Sequence, residues 1–252
     1  MMKALGALTQ AEARLYLRNP VSLFMALVLP SAILLLQGFI IPGTRTPMGG
    51  TDPLYADLRP IDLLVPLAIA VALSSVAVTN YPSAIGGYRE TGVLRRLGVT
   101  PVGAHRILFS QWIVSAVSLA VAILLAILLA RVAFGSLMPD NVPLVLVVLV
   151  FGTAAMMAVG SLIAAVSGTA QTAYGIGFLV FMGCMFTAGL WTPGPLMPEG
   201  IRQVAAFTPL GAMTQALTAA WYGGPVAAGP FVVMFGWTAP CALLAAKVFR
   251  WT

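Results

Sequence analysis

Apolar residues run along this chain in blocks separated by short polar breaks, at 21–41, 62–82, 107–130, 142–166, 170–191 and 226–246. A helix needs about 20 residues to cross about 30 Å of hydrocarbon, so the pattern predicts six membrane-spanning helices. Residues 141–198 contain no Asp, Glu, Lys, Arg or His, which leaves room for two crossings and the turn between them. A soluble domain has no use for so long an uncharged tract, because its surface must be solvated. Pro30, Pro66 and Pro240 fall inside the blocks, where membrane helices accommodate them with a local kink.

Two further segments are helical in pattern but too polar or too short to span. Residues 3–18 place Ala4, Leu8, Ala11 and Leu15 on one face and Lys3, Arg14 and Arg18 on the other, with Glu12 on the apolar side. This is the pattern of an amphipathic helix lying in the membrane interface. Residues 198–222 form two pieces broken at Thr208-Pro209, and the second carries the stripe Leu210, Met213, Leu217 and Trp221. Within an outer segment spanning 192–225, these pieces dip back into the membrane or pack over the bundle; an ordinary structured loop is the alternative.

Composition fits this reading, with 60% hydrophobic and 8% charged residues and a mean hydropathy of +0.98. The net charge of +6 and the pI near 9.8 are explained by where the charges lie. Lys3, Arg14, Arg18, Arg89, Arg95, Arg96, Arg106, Lys247 and Arg250 fall on one side of a six-span layout. Only Arg45, Arg59, Arg131 and Arg202 fall on the other. Basic residues concentrate on the cytoplasmic side, so both termini are expected there and no nucleic-acid partner is implied. The first apolar block begins only near Val21, and no cleavable signal peptide is apparent. Cys184 and Cys241 lie inside apolar blocks and read as small buried residues rather than a disulfide framework.

The residue types exclude several chemistries. The single histidine, His105, lies in a loop, so a Ser–His dyad within the bilayer is ruled out. One His and two separated Cys make no metal ligand set. The two lysines, Lys3 and Lys247, sit in no phosphate-binding loop. Ion-driven transporters keep an ionisable residue within a span, whereas Asp62 and Asp140 stand at span ends, where helix capping is expected. A channel needs a polar lining, and no span shows one. Any energy for transport must enter through a partner.

The place for that partner is the connection 83–106, the longest and most charged on the basic side. Residues 90–97 can form a short helix with Val93, Leu94 and Leu97 on one side and Arg89, Arg95 and Arg96 elsewhere. Gly86, Gly87 and Gly92 permit turns and Pro101 stops it. A basic anchor without a partner is the competing reading.

At these residues the chain resembles the ABC-2 family of ABC-transporter permeases, in particular bacterial exporters of the drug-efflux type such as the daunorubicin exporter's membrane subunit. The family carries an acidic residue, Gly, a Leu-rich basic turn and Thr-Pro after its second span. Here that is Glu90-Thr91-Gly92-Val93-Leu94-Arg95-Arg96-Leu97-Gly98-Val99-Thr100-Pro101. Gly189-Leu190-Trp191-Thr192-Pro193, Leu196-Met197-Pro198 and Phe207-Thr208-Pro209-Leu210 resemble its outer segment. Arg95 departs from the Glu that many members carry.

The resemblance implies an all-α integral membrane protein with the type V ABC exporter fold, a single unit over 1–252. Two copies, or two related permeases, would pair in a bacterial cell membrane and dock onto two ATP-binding-cassette subunits. ATP and magnesium would bind those subunits, and this chain would hold no cofactor. Residues 3–18 would be the connecting helix. The coupling helix would use Arg89, Glu90, Gly92, Leu94, Arg95, Arg96, Leu97, Thr100 and Pro101. Spans two and five would line the substrate path, with Ser75, Thr79 and Asn80 on one and Thr172, Tyr174, Phe178, Phe181 and Met185 on the other. The small pairs Gly160/Ala164 and Gly183/Thr187 read as close-packing sites. An uncharged path suits a hydrophobic or amphiphilic passenger, a drug, antibiotic or lipid-like molecule. The alternative is a non-transporting scaffold that anchors a cytoplasmic partner.

Overall fold

The computed structural model describes residues 2–49, 55–98, 105–192 and 194–249. Every regular element among them is helical, and six helices are long and apolar enough to cross a membrane. These are span one (Pro20–Ile40), span two (Pro60–Glu90), span three (Arg106–Phe134), span four (Val142–Val166), span five (Ala170–Ala188) and span six (Gly229–Val248). An N-terminal helix, Met2–Leu17, precedes them. A short helix, Val93–Gly98, follows span two, and two helices, Glu199–Ala206 and Pro209–Trp221, lie between spans five and six. The N-terminal helix, Phe249 after span six and the short helix share one end of the bundle, here the termini end.

Helix starts follow local chemistry. Asn19, Asn141, Thr169 and Thr208 each accept a hydrogen bond from the amide three residues on, a cap that contributes about 1 kcal/mol. Asp62 caps span two by accepting from the Arg59 amide at 3.1 Å, and its carboxylate is gripped by the Arg59 guanidinium at 2.9 Å. Asn141 rather than Asp140 caps span four. Span five stops at Ala188 instead of 191 because Gly189 adopts φ +90°, a left-handed ending.

Span two is the axis. Its most apolar stretch is wholly buried, whereas only about a fifth of the corresponding stretches of spans five and six is buried (22% and 17%). Spans one, three, four and five surround it, together with helix Pro209–Trp221. That outer helix is part of the core: Leu210, Met213, Leu217 and Trp221, the stripe read from the sequence, are all fully buried. Trp221 Nε1 donates to the Leu137 carbonyl at 3.1 Å, and the Tyr222 hydroxyl donates to the Asp62 carbonyl at 2.6 Å. Glu199–Ala206 is mostly exposed, so only the second outer piece packs into the bundle.

Span two also corrects the expected loop. The sequence suggests an end near Pro82, but the helix continues to Glu90, so residues 83–90 are helical rather than part of a connection 83–106. At 31 residues it is about 46 Å long, more than the hydrocarbon needs. The helix passes Pro82 by widening. Residues Ser75–Asn80 form a π-helical turn in which the Tyr81 amide bonds to the Val76 carbonyl. Span one does the same before Pro30, through Phe24–Val28, with the Leu29 amide on the Phe24 carbonyl. Proline cannot donate to the carbonyl four residues back and its ring crowds that group; the wider turn makes room.

The widening turns the Ala77 and Val78 carbonyls outward, and glycines meet them. A Cβ on Gly160 of span four would collide with the Ala77 oxygen, and one on Gly177 of span five with the Val78 oxygen. Gly160/Ala164 is therefore a close-packing site. Gly183 meets nothing within 4 Å and is exposed, so no close approach is made there within the chain. Gly177→Ala should lower the thermal midpoint of the detergent-purified chain, on the scale of about 1–3 kcal/mol for overpacking. Gly183→Ala should leave it unchanged.

Candidate coupling site at the termini end

The exposed end of span two is fastened to the turn between spans four and five. Arg89 donates through Nη1 to the Ala164 carbonyl at 2.9 Å and to the Ser167 carbonyl. Its guanidinium also lies 5.1 Å from the centre of the Phe249 ring, beyond span six. A cation donating to the last carbonyls of span four answers both their unpaired lone pairs and the negative end of the helix dipole. The neighbouring Glu90 accepts from the Ala170 amide at 3.2 Å, at the positive, N-terminal end of span five. Opposite charges one residue apart thus meet the opposite ends of two consecutive helices.

Gly86 completes the fastening. A Cβ there would stand 2.5 Å from the Thr169 carbonyl oxygen, so only glycine lets span two approach this turn. Beyond Glu90 the chain breaks at Thr91-Gly92, with Gly92 at φ +70°, and the short helix begins. Arg96 Nη2 returns to the Thr91 carbonyl at 2.8 Å, closing the end of span two. Leu94 is buried, and Arg95 and Arg96 are exposed. Thr100 and Pro101 lie outside the described residues, as does the Leu97 side chain. The structure thus brings Arg89, Glu90, Gly92, Leu94 and Arg96 into one unit with the span four–five turn, and leaves Arg95 facing outward.

A second tie joins this unit to the N-terminal helix. Glu12, only 3% exposed, accepts from the Tyr88 hydroxyl and from Gln111 Nε2, and Gln111 also donates to the Tyr88 oxygen at 3.0 Å. Burial pushes the Glu12 carboxyl above the usual range, against the lowering effect of its two hydrogen bonds. Ala11 and Leu15 of the expected apolar face are exposed, and Glu12, which the pattern placed on that same side, is the residue that faces the bundle. The signal was present in the sequence as the one carboxylate on the apolar side; its partners, far along the chain, were not readable.

The residues expected along a substrate path divide. Ser75 and Thr79 are fully buried and donate back to the Ala72 and Ser75 carbonyls of their own helix. Asn80 Nδ2 donates to the Ser22 carbonyl at 3.0 Å. On span five, Tyr174, Phe178 and Phe181 stack in a column with successive ring centres 6.2 Å apart. Phe181 and Met185 are buried, whereas Thr172 and Phe178 are exposed. No metal-holding cluster of His, Cys, Asp or Glu occurs among the described residues.

A family model described as ABC-2 type transporter matches residues 3–222. A search among curated proteins finds no match.

Arg89→Ala strands two helix-end carbonyls. The thermal midpoint of the purified chain should fall by an amount equivalent to about 2 kcal/mol, the scale of hydrogen bonds made by a charged donor. Amide exchange at the start of span five should accelerate. Arg95→Ala, at an exposed position, should move neither.

Proposed function

The chain belongs to the ABC-2 type transporter family, and from that premise we propose that it is the membrane half of an exporter. As a permease subunit it works with a separate ATP-binding-cassette partner and sits in a membrane as a multi-pass protein. In our reading the termini end faces the cytoplasm of a bacterial cell. The short helix Val93–Gly98 enters a groove of that partner. Two permeases pair, and the passenger is hydrophobic or amphiphilic, moved outward from the cytoplasm or inner leaflet in the manner of drug efflux.

The observation that carries this reading is the fastening by Arg89 and Glu90. A helix meant only to anchor a partner needs no bond to the rest of the bundle. Here the short helix continues a buried axial span and is tied to the turn that starts span five. Displacement of the short helix therefore reaches both helices assigned to the substrate path. On that path Thr172, Tyr174 and Phe178 supply the surface open in this conformation. Ser75, Thr79, Asn80, Phe181 and Met185 join it when the bundle repacks, a two-state exchange of helix packing.

The test is reconstitution of the full chain with the ATP-binding-cassette subunit of its own host in proteoliposomes. Permease-stimulated ATP hydrolysis and export are expected from the wild type. Glu90→Arg, which places a cation at the positive end of span five, should abolish the stimulation while the chain still inserts in the membrane. Retained stimulation would overturn the coupling assignment, and binding of the subunit without export by the wild type would support the scaffold instead.

A further inference from the structure

Beneath the N-terminal helix lies a cavity of about 370 Å³, walled by that helix, by span two from Asn80 onward, by span three and by the first residue of span five. Its volume falls within the range of small-molecule sites, which is about 300–1,000 Å³. No Asp, Glu, Lys, Arg or His lines it. The Glu12 carboxylate stands behind the wall, engaged by Tyr88 and Gln111, and is not part of the lining.

What the wall presents is a mixture of donors and acceptors. Ser22 and Ser115 line the cavity, and neither hydroxyl makes a hydrogen bond among the described residues. Asn80 spends its amide nitrogen on the Ser22 carbonyl, and Gln111 spends its own on Glu12 and the Tyr88 oxygen. The side-chain oxygens of both are left as acceptors. Asn19 on the rim is the reverse case, since its oxygen takes the Ser22 amide and its Nδ2 group is left to donate. Gln111 and Ser115 are each only 6% exposed, yet their unpartnered oxygens are not sealed off as Ser74 Oγ and Ser136 Oγ are. They reach open space, and the cavity is the space their residues line.

This inventory selects by charge and by number of hydroxyls. An ionic head would leave water for a wall without a counter-charge, which costs far more than burying a neutral polar group. A head with a single hydroxyl would answer only part of the wall. An uncharged head with several hydroxyls donates to the Asn80 and Gln111 oxygens and accepts from Ser22, Ser115 and Asn19.

The mouth calls for the other half of the molecule. Leu15, which lines the cavity, is exposed, and Leu17, Val21, Phe24 and Val28 continue an exposed apolar track along span one. A hydrocarbon tail can lie on that track, at the depth where an interfacial helix meets the first turns of the spans.

We infer that the cavity seats the uncharged polyol head, glycerol or sugar, of a single-chain lipid that resides between the N-terminal helix and spans two and three. The occupant is not the passenger, and the site stands whether or not the chain exports. The lipid head gives the N-terminal helix a further attachment to span two, at Asn80, the last residue of the π turn.

The test uses the full chain in nanodiscs of zwitterionic lipid, with radiolabelled 1-myristoylglycerol as probe and empty nanodiscs as blank. Saturable binding is expected. Unlabelled tetradecyl glucoside reports the source of the head: displacement of the label shows that the site takes sugars as well, and no displacement restricts it to glycerol. Tetradecanol, tetradecyl sulfate and tetradecyltrimethylammonium, of equal tail length, should compete at least about tenfold more weakly than unlabelled 1-myristoylglycerol. The double variant Ser22→Ala, Ser115→Ala removes two hydroxyls that bond nothing within the chain. It should keep the thermal midpoint of the lipid-free wild type and bind the probe about tenfold or more weakly, the scale of two neutral hydrogen bonds. Ser110→Ala, which removes a hydroxyl spent on the Arg106 carbonyl and absent from the lining, should bind as the wild type does. No saturable component, equal competition by any of the three control amphiphiles, or wild-type binding by the double variant overturns the inference.

Discussion

A helix with no side toward lipid sets the terms for the rest of this protein. From Ile61 to Pro82 every residue of span two is buried, so its neighbours must fit it on all sides. In a membrane there is little hydrophobic gain from bringing helices together, because lipid is as apolar as leucine; close packing and internal hydrogen bonds have to hold the bundle. The contacts around span two are of that kind. Gly38 of span one leaves space for Ile61 and Phe134, Gly152 of span four for Met213, and Gly86 of span two for the Thr169 backbone. The hydroxyls that are buried mostly bond back to their own helices, as Ser31, Ser75, Ser110 and Thr214 do, so they add little demand on partners.

Two prolines decide where that packing can be closest. Pro82 removes one donor, and the π turn before it redirects another, so two carbonyl oxygens of span two face outward at the same level. An unpaired carbonyl within a membrane protein costs several kcal/mol if nothing approaches it, on the order of an unmade hydrogen bond in an apolar medium. Gly160 and Gly177 answer by bringing backbone Cα–H groups against the oxygens. The same widened turn in span one, before Pro30, lies beside the first, since the two π segments pack on each other. The irregular level of the bundle is therefore shared between neighbouring helices rather than being a defect of one.

This explains what was readable from the sequence and what was not. Six apolar blocks and their polar breaks report directly on length and lipid, so the spans appear close to where the pattern puts them, and Asp62 serves as a cap at the end of its span. The outer stripe ending at Trp221 was legible because its spacing is helical. The apolar block ends near Pro82, so the helical continuation to Glu90 was not legible; passage through a π turn depends on glycines in spans four and five that no local pattern ties to it. Arg89 was legible as a cation at the termini end, but the carbonyls it bonds belong to a turn without charge and without a distinctive side chain. Glu12 looked like a flaw in an amphipathic face until Tyr88 and Gln111 supplied its reason.

The ties at the termini end also determine which parts of the chain can move independently. The last turns of span two, the short helix, the turn after span four and the N-terminal helix are joined through Arg89, Glu90, Gly86 and the Glu12–Tyr88–Gln111 set. At the opposite end, Arg59, Asp62 and Tyr222 join the start of span two to the end of span three and to the outer helix. Between these two fastened bodies, span two is held by a π turn with displaced hydrogen bonds and by glycine contacts that carry no interlocking side chain. The regular backbone bonding of span two is interrupted at this level, which is also where its neighbours approach it most closely. Because Gly177 rests on that level, a change of angle in span two must shift span five as well, and with it the aromatic column of Tyr174, Phe178 and Phe181.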